Sequence, residues 1–129
     1  MLLLVIPCSF KKKWSNEIEK QSFTREEEVK FESSIGELRS EIIAGRRKYQ
    51  ALFRDKPIPA LDRCSGLLYT TQDSLRPNLV SATRRRKVTV LILSGAYGAV
   101  TASERIHWYN QQLELDHWRT HRLPSPSQT

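Results

Sequence analysis

The fold of this chain is decided by residues 88–98, which read VTVLILSGAYG. The β-branched and apolar run at residues 88–93 predicts a buried strand, because such side chains pack well on a pleated sheet. Residues 94–98 predict a tight turn, in which glycine lets the backbone approach a ligand closely. An earlier run, LLLVIP at residues 2–7, predicts a second buried strand that ends at Pro7, since proline cannot donate to a sheet ladder.

Helical patterns separate and follow the two strands. Thr24 and Glu27 have the spacing of a capping box, in which two side chains satisfy backbone N–H groups at the start of a helix. Apolar residues then recur every three, four or seven positions, which predicts a long amphipathic arm over residues 24–53 with a weak point at Gly45. A further helix is predicted before the second strand, and another after Glu104.

The alternation of strands and helices predicts an α/β fold. We expect a small Rossmann-like parallel sheet flanked by helices, with the helical arm directly after the first strand. The chain has 129 residues, a length that suits one domain. We expect that domain to cover residues 1–122 and to be followed by a disordered tail rich in proline and serine at residues 123–129.

Composition and charge narrow the setting of the protein. The 21 Lys and Arg residues outnumber 14 Asp and Glu residues, and the formal net charge of +7 favours an anionic partner. The longest apolar run, residues 2–6, is far shorter than the roughly 18 residues of a membrane-spanning helix. In a signal peptide the positive residues precede the apolar run, whereas here the lysines follow it. We therefore expect a cytoplasmic protein with no membrane partner. Two cysteines are too few for a disulfide framework.

Chemically reactive residues follow both predicted strands. Ligands of parallel sheets bind beyond the carboxyl ends of the strands, so we predict a pocket between loops 7–13 and 94–98. Cys8 is a candidate nucleophile, because the neighbouring lysines lower the pKa of a thiol, and its alternative role is a small buried residue that closes the sheet. Ser9 and free backbone N–H groups can hold an anion, with a simple turn as the alternative.

The loop after the second strand supplies further candidates. Its predicted substrate-binding residues are Ser94, Gly95, Tyr97, Gly98 and Tyr109. Tyr97 can stack on a base or plug the sheet edge, and Tyr109 can reach back to the pocket or belong to the core. Glu104 can act as an acid or base, or stabilise a helix N-terminus. Neither a Walker loop nor a dinucleotide fingerprint is present.

Basic clusters are candidates for nucleic-acid binding. They comprise Lys11, Lys12, Arg84, Arg85, Arg86 and Lys87. Such cations neutralise phosphates, and Trp14 or Trp108 can add stacking on bases; a solvated charge run and a basic helix end are the alternatives. His117 and His121 lie four apart, but no His-Glu-x-x-His motif accompanies them. We therefore expect no metal and no cofactor.

Two motifs of the sequence resemble a known group of proteins. Residues 2–13, with Pro-Cys-Ser at positions 7–9, and residues 88–113, with Leu-Ser-Gly-Ala-Tyr-Gly at positions 93–98, resemble YaaA-like bacterial proteins of unknown function. The Pro-Cys-Ser loop is also similar to that of the core domain of archaeosine synthase, a relative of tRNA-guanine transglycosylases. This resemblance implies that Cys8 and Lys13 act on a base, and the length of the chain suggests a truncated member.

We therefore expect a protein that handles a nucleobase, nucleoside or nucleotide, with a glycosidase-like or transglycosylase-like reaction at an N-glycosidic bond as its predicted activity. Cys8, Lys13 and Glu104 are the predicted catalytic residues. One alternative is a non-catalytic, stress-related basic protein that binds DNA or RNA. Another is an interaction module that forms a homodimer through the arm at residues 24–53.

Overall fold

The structure, a computed structural model, describes residues 2–7, 12–30, 39–64 and 75–120. The described strands are β1 (Leu2–Pro7), β2 (Arg54–Pro59), β3 (Val88–Ser94), β4 (Gly98–Thr101) and β5 (Arg105–Trp108). The described α-helices are α1 (Arg39–Gly45), α2 (Ala60–Arg63), α3 (Leu75–Arg84) and α4 (Leu115–Thr120). Short 3-10 helices span Ser15–Glu17, Arg25–Glu27 and Arg46–Leu52. The protein therefore combines helices and strands, as expected for an α/β chain.

Two small sheets organise the described strands. The first has the order β1-β3-β4, with β1 parallel to β3 from Leu2 opposite Val88 to Pro7 opposite Leu93. Strand β4 runs antiparallel to β3 across the turn at residues 95–97. The second sheet pairs β2 with β5 in antiparallel register. The predicted all-parallel Rossmann-like sheet is thus replaced, in the described part of the chain, by one parallel pair within a mixed sheet, because the short turn after β3 returns the chain as a hairpin.

Strand β1 is less buried than its apolar sequence predicts. Leu3 and Val5 are 54% and 40% exposed, whereas Ile6 is buried. Among the described strands β1 pairs with β3 alone, so it lies at the edge of the sheet. Successive side chains of a strand point to opposite faces, and one face of this edge strand is incompletely covered.

The predicted long arm is interrupted in the structure. The capping box is present, since the Thr24 backbone N–H donates to Glu27 Oε1 at 2.8 Å, but it starts only a single 3-10 turn. Residues 28–30 are not helical, because Val29 N–H donates to Ser103 Oγ at 2.9 Å and tertiary contacts hold the chain there. Residues 31–38 lie outside the described part of the chain, and α1 passes into a 3-10 helix after Gly45. The predicted homodimer was based on a continuous helix over residues 24–53. Because residues 28–30 are not helical, the homodimer stays a prediction without that support.

The segment after Glu104 is a strand rather than the predicted helix. Ile106 lies opposite Ile58 in the pairing of β5 with β2, and both side chains are fully buried. Pairing with a distant strand therefore overrides the helical spacing of the apolar residues in this segment. The helix that follows, α4, begins only at Leu115.

Both sheets contribute to one hydrophobic core. Its fully buried members include Val90, Ile92, Val100 and Ile106, and Trp118 of α4 joins the same cluster. Arg63 of α2 is also fully buried and donates to the carbonyls of Lys13, Lys56 and Ile106 at 2.6 to 3.4 Å. A buried guanidinium is stable only when its donors are satisfied, so Arg63 links three segments of the chain.

Residues 12–30, which we call the strap, cross the molecule with little regular structure. Ser15 donates its N–H and its hydroxyl to the Asp55 carboxylate at 2.6 and 2.7 Å, and Ser22 does the same to Asp62 at 2.8 and 2.5 Å. These paired hydrogen bonds attach the strap to β2 and α2.

Within the described residues, no helix combines the length and the apolar character needed to cross a membrane. The tail predicted at residues 123–129 lies outside the described residues.

Candidate functional site

The turn between β3 and β4 is filled by the protein itself. Ser94 is fully buried, its Oγ is hydrogen-bonded to the Tyr109 hydroxyl, and it also accepts from Tyr97 N–H at 3.1 Å. A side chain at Gly95 would collide with the backbone carbonyl of Gln111, and one at Gly98, where φ is +76°, would lie 2.5 Å from the Trp118 ring. The glycines of the turn therefore allow close approach of other parts of this chain rather than of a ligand.

Lys12 of the first predicted loop contacts Tyr109, a predicted substrate-binding residue. The Lys12 ammonium lies 4.3 Å from the centre of the Tyr109 ring, a distance typical of a cation–π contact. Burial raises the pKa of Tyr109 well above its usual range and lowers the pKa of Lys12 to about 8. Tyr109 thus contacts Lys12 through its ring and Ser94 through its hydroxyl. Tyr109 itself is a core residue, with 1% of its surface exposed.

Glu104 holds the hairpin together. Its carboxylate is buried and lies 3.0 Å from Nη1 of Arg46, whose other donors reach the carbonyls of Tyr97 at 2.8 Å and Ala99 at 2.7 Å. This arrangement satisfies both charges and fixes the turn after β3. Its geometry favours a structural role over the predicted role as an acid or base.

Tyr97 lies at a pocket of about 640 Å³. Phe53 stacks on Tyr97, with ring centres 4.8 Å apart and planes 2° apart, and on His107, with centres 5.4 Å apart and planes 15° apart. The Tyr97 hydroxyl accepts from His107 N–H at 3.0 Å, and burial raises the pKa of Tyr97 to about 12. These three rings form the apolar part of what we call the aromatic pocket. Its other lining residues are Arg25, Glu28, Lys30, Gln50, Pro57 and Arg105.

Arg105 is a cation of the aromatic pocket that several hydrogen bonds hold in place. Its guanidinium donates to Gln21 Oε1 at 2.5 Å and to the Phe23 carbonyl at 3.3 Å, while its backbone N–H donates to Glu28 Oε2 at 2.7 Å. The Nε atom of Arg105 is buried and has no hydrogen-bond partner among the described residues. Arg25 is exposed and forms no salt bridge with any described residue. The pocket thus combines flat aromatic surface with guanidinium donors.

A second cavity, of about 610 Å³, lies at the end of α3 and includes Arg84 and Arg85 from the predicted basic cluster. Arg84 donates to both carboxylate oxygens of Glu27, at 2.6 and 3.2 Å, and these bonds lower the pKa of Glu27. Arg86 and Lys87 are exposed and do not line this cavity.

The remaining predicted residues are distributed over several places. Cys8, Ser9 and Lys11 lie outside the described residues, as does His121. Lys13 pairs through its backbone with Arg63 and does not line the aromatic pocket. Cys64 is buried and disulfide-bonded, so a nucleophilic role for Cys8, the other cysteine of the sequence, requires a reduced thiol.

The candidate stacking residues and His117, one of the two histidines spaced four apart, contact other groups of the protein. Trp14 and Trp108 stack on each other, with ring centres 4.3 Å apart. His117 Nε2 is hydrogen-bonded to the Gly45 carbonyl at 3.0 Å. The described residues contain no group of three or more His, Cys, Asp or Glu side chains placed to hold a metal ion.

Sequence reasoning missed most of the aromatic pocket. Arg105 and His107 were assigned to a helix, although their spacing of two places both on one face of a strand. Phe53 was placed on the arm, and Arg25 was not singled out. The alternation in the segment Arg-Ile-His-Trp was the one available signal. Comparisons of the chain with protein-family models, with curated proteins and with solved structures find no match.

Proposed function

We propose that the protein binds a nucleotide in the aromatic pocket, with the base against Phe53 and His107 and the phosphate near Arg25 and Arg105. The observation that carries this proposal is that stacked aromatic rings and guanidinium groups line one cavity. Bases stack on aromatic side chains, and arginine binds phosphate oxygens through two parallel hydrogen bonds. A nucleotide offers both features in one molecule.

The size and polarity of the pocket agree with this ligand. A volume of about 640 Å³ lies within the range of small-molecule sites, roughly 300 to 1,000 Å³. Glu28 can accept hydrogen bonds and Gln50 can both donate and accept, so the polar edge of a base can find partners there. The mixture of a few polar groups with aromatic surface is typical of specific ligand sites.

The hydrogen bonding of Arg105 supports placing the phosphate of the nucleotide next to its guanidinium group. A buried N–H group without an acceptor costs about 1 to 3 kcal/mol, and Arg105 Nε is such a group among the described residues. A phosphate oxygen bound at Arg105 would supply that acceptor. Gln21, Phe23 and Glu28 meanwhile hold the residue in place, which reduces the entropy lost on binding.

A reaction at an N-glycosidic bond stays a prediction. Of its three predicted catalytic residues, Cys8 lies outside the described residues, Glu104 is paired with Arg46, and Lys13 does not line the pocket. The parallel pair β1 and β3 is the feature that a Rossmann-like relative would share. The geometry therefore favours nucleotide binding and assigns no bond-breaking step.

Calorimetric titration of the full chain with AMP, adenosine and inorganic phosphate tests the proposal. We expect AMP to bind more tightly than either part alone, because it uses both the rings and the cations. Arg105→Gln should weaken AMP binding by about tenfold or more, the effect of one lost charge-assisted hydrogen bond. Arg25→Gln should weaken it as well, and this exposed position separates a binding effect from a folding effect.

Arg47→Gln is the matched control, since Arg47 is exposed and lines neither cavity. Its affinity for AMP should equal that of the unmodified protein. Absence of AMP binding to the unmodified protein at millimolar concentration, or equal AMP affinity in Arg25→Gln, Arg105→Gln and Arg47→Gln, would show that the pocket is not a nucleotide site.

A further inference from the structure

The cavity at the end of α3 is a basic groove next to the aromatic pocket. We use this name for the surface formed by Lys20, Gln21, Ser22, Val80, Ser81, Arg84 and Arg85. Its cations come from two separate segments, the strap and the end of α3, so the groove is built by tertiary structure rather than by a local run of charge. Its serine hydroxyls and its apolar floor at Val80 accompany these cations.

Two of the groove cations are available for a ligand. Lys20 and Arg85 are exposed and form no salt bridge with any described residue. Arg84 differs, because Glu27 and the Ser22 carbonyl at 2.9 Å hold its guanidinium in place. The groove therefore presents one fixed and two uncommitted positive side chains, an arrangement suited to successive anionic groups.

The basic groove and the aromatic pocket are joined through the strap. Gln21 lines the groove and accepts from Arg105, which lines the pocket, over 2.5 Å. Glu27, the partner of Arg84, is followed directly by Glu28 of the pocket. The two cavities are thus neighbours on one short segment of chain, as a ligand longer than one nucleotide would require.

We propose that the pocket and the groove form one binding surface for single-stranded nucleic acid. One base stacks in the aromatic pocket, and the adjoining backbone phosphates follow Lys20 and Arg85. This inference rests on the proposed nucleotide site and names its ligand as a strand rather than a free nucleotide. A single strand is required because the bases of a duplex are stacked on each other and cannot enter a side-chain pocket.

Fluorescence anisotropy of the full chain with a labelled oligoadenylate of about ten nucleotides tests the inference, with DNA and RNA forms as separate arms. We expect the single strand to bind at least about tenfold more tightly than AMP at low salt, and more tightly than a duplex of the same length. The logarithm of the association constant falls as the logarithm of the salt concentration rises. In the double variant Lys20→Gln/Arg85→Gln this dependence should be shallower, with the magnitude of the slope smaller by about 0.7 for each lost phosphate contact. Its AMP affinity should not change.

The variants and competitors separate the two proposals. AMP binding together with an oligonucleotide that binds no more tightly than AMP would overturn the inference and leave the nucleotide site intact. An acidic peptide of equal charge that competes as well as the strand would also overturn it, since the groove would then be a general anion surface. Strand binding that is unaffected by Phe53→Leu and accompanied by no AMP binding would overturn both. Arg47→Gln serves as the control for a positive charge removed outside both cavities, and it is compared with the single variants Lys20→Gln and Arg85→Gln, which also remove one charge each.

Discussion

Several charged residues of this protein are buried, where an unpaired charge would lower the stability of the fold. Arg63 is fully buried and Arg46 and Glu104 are largely buried, and each has partners of opposite charge or backbone carbonyls within hydrogen-bond distance. Removing a buried charge from water costs several kcal/mol unless such partners replace the water. The Lys12 ammonium instead packs against the Tyr109 ring. Burial lowers the pKa of Lys12 to about 8.

The lowered pKa of Lys12 predicts a specific dependence of stability on pH. Between about pH 8 and 10.5 the unfolded chain holds a proton on Lys12 that the folded protein has lost, so the contribution of Lys12 to stability rises with pH in this window. Below pH 8 both states are protonated, and the cost of burying the charge is constant. Urea unfolding of the unmodified protein and of Lys12→Met should show their difference in free energy changing across that window. A difference that is flat from pH 8 to 10.5 would contradict this assignment.

At the scale of elements, the 3-10 helix Arg46–Leu52 supports the hairpin of β3 and β4. Arg46 donates to the carbonyls of Tyr97 and Ala99 and pairs with Glu104, which lies between β4 and β5. Two residues that follow in the same stretch of chain, Tyr49 and Phe53, contact Glu114 and Tyr97. The hairpin and the aromatic pocket therefore depend on the same short element.

The pair of Arg46 and Glu104 predicts a strong effect of single substitutions. Arg46→Met should lower the free energy of unfolding by about 3 to 5 kcal/mol, because it leaves the buried Glu104 carboxylate without its cation. The double variant Arg46→Met/Glu104→Gln should recover part of this loss, since no unpaired charge remains. A double-mutant cycle by urea denaturation measures the coupling. Additive effects of the two substitutions would argue against a direct ion pair.

Elements with continuous apolar sequence could be predicted, whereas elements that depend on pairing could not. The runs at residues 2–7 and 88–94 are strands as expected, since their β-branched and apolar composition favours a sheet. Ile106, Tyr109 and Leu113 are at helical spacing, but Ile106 lies in a strand opposite Ile58, a partner 48 positions away in the sequence. The capping box at Thr24 formed, yet the contacts of Val29 with Ser103 end the helix after one turn.

At the scale of the whole molecule, the strap connects parts of the chain that the sheets alone do not join. Ser15 and Ser22 bind Asp55 and Asp62, and Arg105 of β5 binds Gln21. The two cavities lie on this segment, so the geometry of the proposed binding surface depends on these side-chain bonds.

The lowered pKa of Asp55 predicts that the folded protein loses stability in acid. Burial opposes ionisation of its carboxyl group, but hydrogen bonds from Arg63 and Ser15 outweigh that effect and lower the pKa of Asp55 far below its usual range. A carboxylate with a lowered pKa contributes stability that is present above its unfolded pKa, near 4, and is lost as pH falls below that value. The free energy of unfolding should therefore drop between about pH 5 and pH 2, and less so in Asp55→Asn. An equal drop in both proteins would exclude Asp55 as its source.

The sequence by itself determined the mixed helix and strand content, the strands β1 and β3 and the net positive charge, because these follow from local composition. It also pointed to Tyr97 and to Arg84 and Arg85, which line the two cavities. Only the tertiary structure decided that Ser94 and Tyr109 are buried, that Glu104 is paired with Arg46, and that Arg105, His107 and Phe53 share a pocket. The physical reason is that these arrangements arise from contacts between residues that are distant in the sequence, 15 positions apart for Ser94 and Tyr109 and 58 for Arg46 and Glu104. No local pattern of residues encodes the energies of such contacts.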